Sequence, residues 1–202
     1  MHRPIQRKAD LIEELIASAQ TIARLGYVPP GRGSMSARLP GRAAMTLTGE
    51  GVRFDRIGYD ALVTVDTEGN VIEGEVPPTK DMGIHLAVYK GAPHVVSLLV
   101  AHPPYATMFA LAGRPLPAVV ADLAEATGGS VSFVDTADPR ADPGPLVANL
   151  AETPVLLVRN LGVVATGSDP DEALERLIAT EHAAHVVWGA LMLARGIGGR
   201  FD

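Results

Sequence analysis

Apolar positions at Leu11, Ile12, Leu15, Ile16, Ala19, Ile22 and Ala23 recur every three or four residues, while Glu13, Glu14 and Gln20 fall elsewhere. The spacing predicts an amphipathic helix from Ile5 to Leu25, closed by Gly26 and barred from continuing by Pro29 and Pro30. The pattern then shortens to alternation at Ser34-Met35-Ser36-Ala37-Arg38, which reads as a strand entered through a glycine turn. Ala44 to Thr48 is a further strand, and Ala61 to Asp66 with Asn70 to Glu73 reads as a hairpin turning at Thr67-Glu68-Gly69-Asn70. A helix is predicted from Asp81 to Tyr89 with Thr79 as its N-cap, then an apolar strand from Val95 to Ala101 closed by Pro103 and Pro104. Beyond it come a helix from Tyr105 to Ala112, a small-residue segment through Gly128-Gly129, a strand from Ser130 to Val134 and a loop from Asp135 to Gly144. A short helix from Pro145 to Ala151, strands at Val155 to Val158 and Gly162 to Ala165, and a long helix from Pro170 to Arg195 complete the chain.

At 202 residues and 47% hydrophobic, the chain suits one domain spanning residues 1–202. Its net charge is -6 with Lys and Arg scattered, so no clustered positive surface meets the phosphates of a nucleic acid. The absence of Cys excludes disulfides and thiolate metal sites. The charged opening MHRPIQRKAD is unlike a signal peptide, and no apolar run approaches the roughly 18 to 20 residues that span a bilayer. The expectation is a soluble, cytoplasmic protein without a membrane partner.

Candidate chemistry concentrates at the ends of the stretch Pro77 to His102. Thr79, Lys80 and Asp81 stand at a helix entrance, where backbone donors favour an anion; Asp81 is equally suited to complementing the helix dipole. His102 leaves the end of an apolar strand, either as a hydrogen-bonded structural residue or as a chemical group. The loop at Gly31-Arg32-Gly33-Ser34 offers donors to an anion or serves as a plain turn. On the last helix, His182 and His185 share a face with Glu181 close by. They could ligate a metal if a third ligand approached, or simply pack, and no HExxH motif is present.

Together these motifs resemble the class II aldolase/adducin family from about Leu11 to about Leu193. The family's Gly-Asn-x-Ser-x-Arg loop aligns with Gly33 to Arg38, its Thr-Gly turn with Thr48-Gly49, and its Pro-Ser-Ser-Glu motif with Pro78-Thr79-Lys80-Asp81, followed by His85 and Tyr89. Its Val-Val-His-x-His strand aligns with the end of Pro93 through His102, and its Asn-His-Gly turn with Asn160-Leu161-Gly162. The resemblance implies a three-layer α/β/α fold with a central, mainly antiparallel sheet, assembled as a homotetramer. Catalytic relatives bind a divalent metal through three histidines, which fall here on Val100, His102 and Leu161; the catalytic glutamate falls on Asp81. Val and Leu cannot coordinate a metal, so no metal and no other cofactor is expected at these positions. The phosphate pocket implied by the family falls on Gly33, Ser34, Thr48, Gly49, Thr79 and Lys80. The expectation is a lyase-type enzyme on a small phosphorylated or carboxylated substrate, with Asp81 as acid/base, Lys80 as electrostatic partner and His102 as second proton carrier. The alternative is a non-catalytic member that keeps the fold for assembly or ligand binding.

Overall fold

The computed structural model describes residues 7–196. Helix α1 (Lys8–Arg24) buries Leu11, Leu15, Ala19 and Ile22, the stripe read from the spacing; the Ile5 end of the predicted span lies outside the described residues. The helix closes at Gly26, where the Gly26 N–H reaches the Ala23 carbonyl and the Tyr27 N–H reaches the Ile22 carbonyl. These paired bonds satisfy carbonyls that a helix end would otherwise leave open.

Strands β1 (Ser34–Ala37), β2 (Ala44–Thr48), β3 (Leu62–Asp66) and β4 (Val71–Glu73) follow, then α2 (Met82–Gly91), β5 (Ser97–Ala101), α3 (Pro104–Ala112) and α4 (Ala121–Thr127). The remainder is β6 (Ser132–Val134), α5 (Gly144–Leu150), β7 (Val155–Val158), β8 (Gly162–Gly167) and α6 (Pro170–Gly196). The strands form one sheet in the order β4-β3-β2-β1-β5-β8-β7-β6. Every pairing is antiparallel except β6 beside β7.

Alternation along the central strands divides the core. Leu99 and Ala101 of β5, with Val163 and Ala165 of β8, pack against α1, α3, α4 and α6. Leu98, Val100 and Val164 point the other way, toward residues of α2 and α5. Consecutive apolar residues are therefore needed in these strands, because both faces are covered. The layered α/β/α architecture is the one expected.

Some boundaries moved. The sequence presents helix α4 only as a small-residue segment; Leu123 is its one large apolar side chain, and the packing of that residue in the α1/α3/α6 core is what the periodicity does not reveal. Helix α2 begins at Met82, and Thr79 is not its cap. The Thr79 hydroxyl accepts the Asp81 N–H at 3.3 Å, forming a turn before the helix. Strand β5 starts at Ser97, two residues later than the apolar run began.

Helix α6 also changes the membrane reading. Its Pro170–Ala194 segment, with a mean hydropathy of 1.3, is long and apolar enough to cross a bilayer, although its charged residues interrupt the apolar run. In this fold Ala173, Leu177, Ala183 and Ala184 are instead buried in the core shared with α1, α3 and β8. Farther along, Val186, Trp188, Leu191, Met192 and Leu193 are exposed, as are Met108 and Leu111 of α3, which packs against α6.

Candidate active site

The site residues come from element ends that the sheet order brings together. Strand β1 lies beside β5 with Ser34 opposite Val100, and β5 lies beside β8, so the exit of β5, the entry to β8 and the start of α2 converge. Two glycines permit this closeness. Gly33, at φ +75°, would place a Cβ 2.9 Å from the Val100 carbonyl oxygen, and Gly162, at φ +108°, would run one into the Ala101 carbonyl.

Beneath the site runs a buried chain of polar side chains. Ser34 Oγ donates to Asp81 Oδ2 at 2.9 Å and lies 2.8 Å from His85 Nε2. Ser36 Oγ lies 2.6 Å from His85 Nδ1 and 2.8 Å from the Tyr89 hydroxyl. The hydroxyl that donates to Asp81 must accept from His85, so the proton belongs on Nε2. Nδ1 then accepts from Ser36, whose oxygen is left to accept from the Tyr89 hydroxyl, a donor shared with the Val96 carbonyl at 3.3 Å. Burial pushes the His85 pKa down to about 4 against the opposing pull of the Asp81 charge, so the imidazole is neutral near pH 7. Burial likewise pushes the Tyr89 hydroxyl up. Arg38 holds the far end of α2, donating to the Tyr89, Val95 and Pro93 carbonyls with its guanidinium 4.5 Å from the Tyr89 ring centre.

Asp81 is buried, and its second oxygen accepts from Arg140 Nε at 2.7 Å. Arg140 comes from the loop between β6 and α5, where its backbone N–H is held by Asp138 Oδ1 at 2.9 Å. The sequence reading put a cation beside Asp81 but chose Lys80. Lys80 instead pairs through Nζ with Glu50 Oε1 at 3.0 Å, and its backbone N–H donates to Glu50 Oε2. The hydrogen bonds from Lys80 hold the Glu50 carboxyl below its ordinary range.

The predicted phosphate pocket is engaged internally. Ser34 serves Asp81 and His85, Thr48 Oγ1 accepts the Met35 N–H, the Gly49 N–H donates to Ala61, and Thr79 accepts from Asp81. Only Gly33, of the six positions, makes no hydrogen bond of this kind among the described residues.

His102 is half-buried at the exit of β5, and its Nδ1 is buried without a hydrogen-bond partner. Such groups are uncommon in folded proteins. Burial lowers its pKa, Asp81 raises it, and the charges of Arg32 and Arg140 lower it again, so all three side chains lie within electrostatic reach.

The two positions flanking His102 in the family's metal motif are aliphatic and closed. Val100 is 0% exposed and Leu161 2%, both in the core on the α2 side of the sheet. This donor set does not fit a three-histidine metal centre. The histidines of α6 do not replace it: His185 stacks on Tyr105 with ring centres 3.9 Å apart, and His182 faces Asp122 at 4.0 Å. Glu181 accepts the Tyr105 and Ala106 N–H groups at the start of α3. Among the described residues no group of three His, Cys, Asp or Glu side chains is placed to hold a metal.

A cleft of about 500 Å³ lies at the opposite end of the strands, lined by Glu125, Glu152, Thr166 and Arg176 among others. Its arginine is committed to the Ala126 and Thr166 carbonyls and to Glu172, and the cleft shares no residue with the site around Asp81.

Residues 13–188 match the family model of the Class II Aldolase and Adducin N-terminal domain. The chain belongs to this family. It is 26% identical over 200 residues to the L-ribulose-5-phosphate 4-epimerase UlaF of Salmonella paratyphi B, covering 93% of this chain and 86% of that protein. A solved L-fuculose 1-phosphate aldolase superposes with a TM-score of 0.82 at 23% identity, covering 96% of this chain and 90% of the other. The L-fuculose-1-phosphate aldolase of Thermus thermophilus gives 0.83 at 20% identity, covering 96% and 100%. At these identities the structural likeness speaks for the class II aldolase fold.

Sequence reasoning on this family member missed Arg140 and the roles of Ser36, His85 and Tyr89. The buried chain had a legible signal: Asp81, His85 and Tyr89 are spaced i, i+4, i+8 on one helix face, and Ser34 and Ser36 share a strand face. Arg140 had none, since a loop residue 59 positions from its partner has no periodicity.

Proposed function

We propose that this class II aldolase relative is a lyase-type enzyme acting on a small phosphorylated or carboxylated substrate without the family's three-histidine metal. The observation that carries the reading is Asp81: a buried carboxylate with one oxygen on Ser34 and the other on Arg140, beside His102. A buried carboxylate held in one orientation suits a general base. In the lyase direction a substrate hydroxyl loses its proton as it becomes the departing aldehyde, the carbon–carbon bond beside it breaks with its electron pair moving onto the adjacent ketone oxygen, and protonated Asp81 delivers its proton to the carbon left behind; in reverse, Asp81 removes that proton and the pair again moves onto the ketone oxygen. His102 is the second proton carrier, delivering to or receiving from that oxygen. Arg140 takes the place assigned to Lys80 as the cation beside Asp81. The names of the relatives support a small sugar phosphate as the substrate class. The exposed apolar residues of α3 and α6 support self-association, in line with a homotetramer.

The alternative is a non-catalytic member, and one observation favours it: the hydroxyls of the family's phosphate pocket are turned to internal partners. Proton exchange into deuterated water separates the two. The metal content of the purified protein is measured first, and the protein is then incubated with a panel of sugar phosphates and hydroxy acids under chelating conditions. Deuterium incorporation that Asp81→Asn abolishes supports the enzyme. No incorporation into any member of the panel, or a requirement for stoichiometric metal, sinks the metal-free proton-transfer reading.

A further inference from the structure

Arg140 and Asp81 meet through a single guanidinium nitrogen. Nε reaches Asp81 Oδ1 at 2.7 Å, and neither Nη group makes a hydrogen bond to protein among the described residues; the Glu50 carboxylate, itself held by Lys80, lies within electrostatic reach of the guanidinium. The Arg140 side chain is 48% exposed while that of Asp81 is 7% exposed, so the cation stands between the buried carboxylate and solvent with its outer edge unfilled. The hydrogen bond from the Arg140 backbone N–H to Asp138, and buried Pro139, fix the loop from which it projects. Arg32 is a second exposed cation near the same place, without an ion pair among the described residues, and His102 Nδ1 lacks a partner. An anionic ligand is the group that two unfilled cations would take. In the family's phosphate pocket, meanwhile, Ser34 donates to Asp81, the Gly49 N–H to Ala61 and Lys80 to Glu50, while the Thr48 and Thr79 hydroxyls accept backbone N–H groups.

We infer that the outer Nη edge of Arg140, with Arg32 nearby, binds the oxyanion of the substrate, a phosphate monoester or a carboxylate. A guanidinium presents parallel N–H groups that match either oxyanion two at a time, which a lysine cannot do. Because the inner nitrogen of the same guanidinium holds Asp81, the anion is tied to the base through one rigid planar group. The substrate's reacting carbon is thereby fixed relative to the carboxylate. This assignment rests on the proposed reading of Asp81 as acid/base and adds the residue that recognises the substrate.

The test is titration calorimetry at low ionic strength with inorganic phosphate and, separately, with glycolate. Wild type binds at least one of them, and the tighter one names the oxyanion class. Arg140→Gln leaves a buried carboxylate without its cation and can unfold, so the decisive comparison is Asp81→Asn against Asp81→Asn/Arg140→Gln, neither of which leaves an unpaired buried charge. Asp81→Asn binds the anion at least as tightly as wild type, and the double variant binds it weaker by about tenfold or more. Lys80→Ala stays within about twofold of wild type. Equal binding by the single and double variants overturns the assignment, as does a loss in Lys80→Ala as large as that in the double variant, or no binding of either probe by wild type. If anion binding ignores Arg140 while Asp81→Asn still abolishes deuterium exchange, the recognition residue is wrong and the proton-transfer reading stands. If the calorimetry follows Arg140 but exchange is absent, the site is an anion-binding site and the catalytic reading falls.

Discussion

His85 links the buried polar chain to a measurable dependence of stability on pH. Its ring is fully buried, and its pKa falls from an ordinary 6.5 to about 4, chiefly because burial disfavours the imidazolium. The folded pKa lies below the unfolded one, so between these values the unfolded chain takes up a proton that the folded chain refuses. Stability is therefore complete above about pH 6.5 and is lost as pH falls toward about 4. The gap is about 2.5 units, worth ~3 kcal/mol at 1.36 kcal/mol per unit, of which about 2 kcal/mol is already lost at about pH 5. His85→Gln keeps one donor and one acceptor without a titrating proton. It costs stability near neutral pH through imperfect packing, but that cost shrinks as pH falls. The assay is urea unfolding of both proteins at several pH values between about 7.5 and about 5, following the difference in unfolding free energy. Acid-sensitive groups that do not act on His85, His102 included, cancel in that difference; Asp81, whose charge acts on His85, contributes to it. A difference that stays constant across the range would refute the neutral buried imidazole, and with it the direction of the hydrogen bonds from Tyr89 to Asp81.

Two further changes probe the backbone and the missing metal ligands. Gly162→Ala is expected to cost ~2 kcal/mol or more in thermal or urea unfolding, because φ is +108° and a Cβ would meet the Ala101 carbonyl. Gly128→Ala, at φ +75° with nothing within 4 Å, is the control and should lose only ~1 kcal/mol; equal losses would show that the close approach of β8 to β5 is not what holds the turn. The double variant Val100→His/Leu161→His restores the two donors absent around His102 and is expected to retain zinc through gel filtration, whereas wild type does not. Zinc in the wild type, or a folded double variant that takes up none, would contradict the account of these positions.

Much of the architecture was legible because burial imposes a period. The stripe from Leu11 to Ile22 marked α1, the hairpin turned where Thr67 to Asn70 break the strands, and the apolar runs of β5 and β7 announced strands covered on both faces. The order and spacing of the motifs were enough to carry the family resemblance. Helix α4 escaped because one leucine among small residues carries no period. For the site, the sequence put forward Asp81 and His102 as candidates and placed aliphatic side chains at Val100 and Leu161, because side-chain identity is read directly from the chain. Tertiary structure alone decided what each group touches. It sent Lys80 to Glu50, turned Ser34 and Thr79 inward, and brought Arg140 to Asp81 across 59 residues of chain. Identity is local and periodicity reports burial, but the partner of a charge depends on which loop the sheet order folds over it.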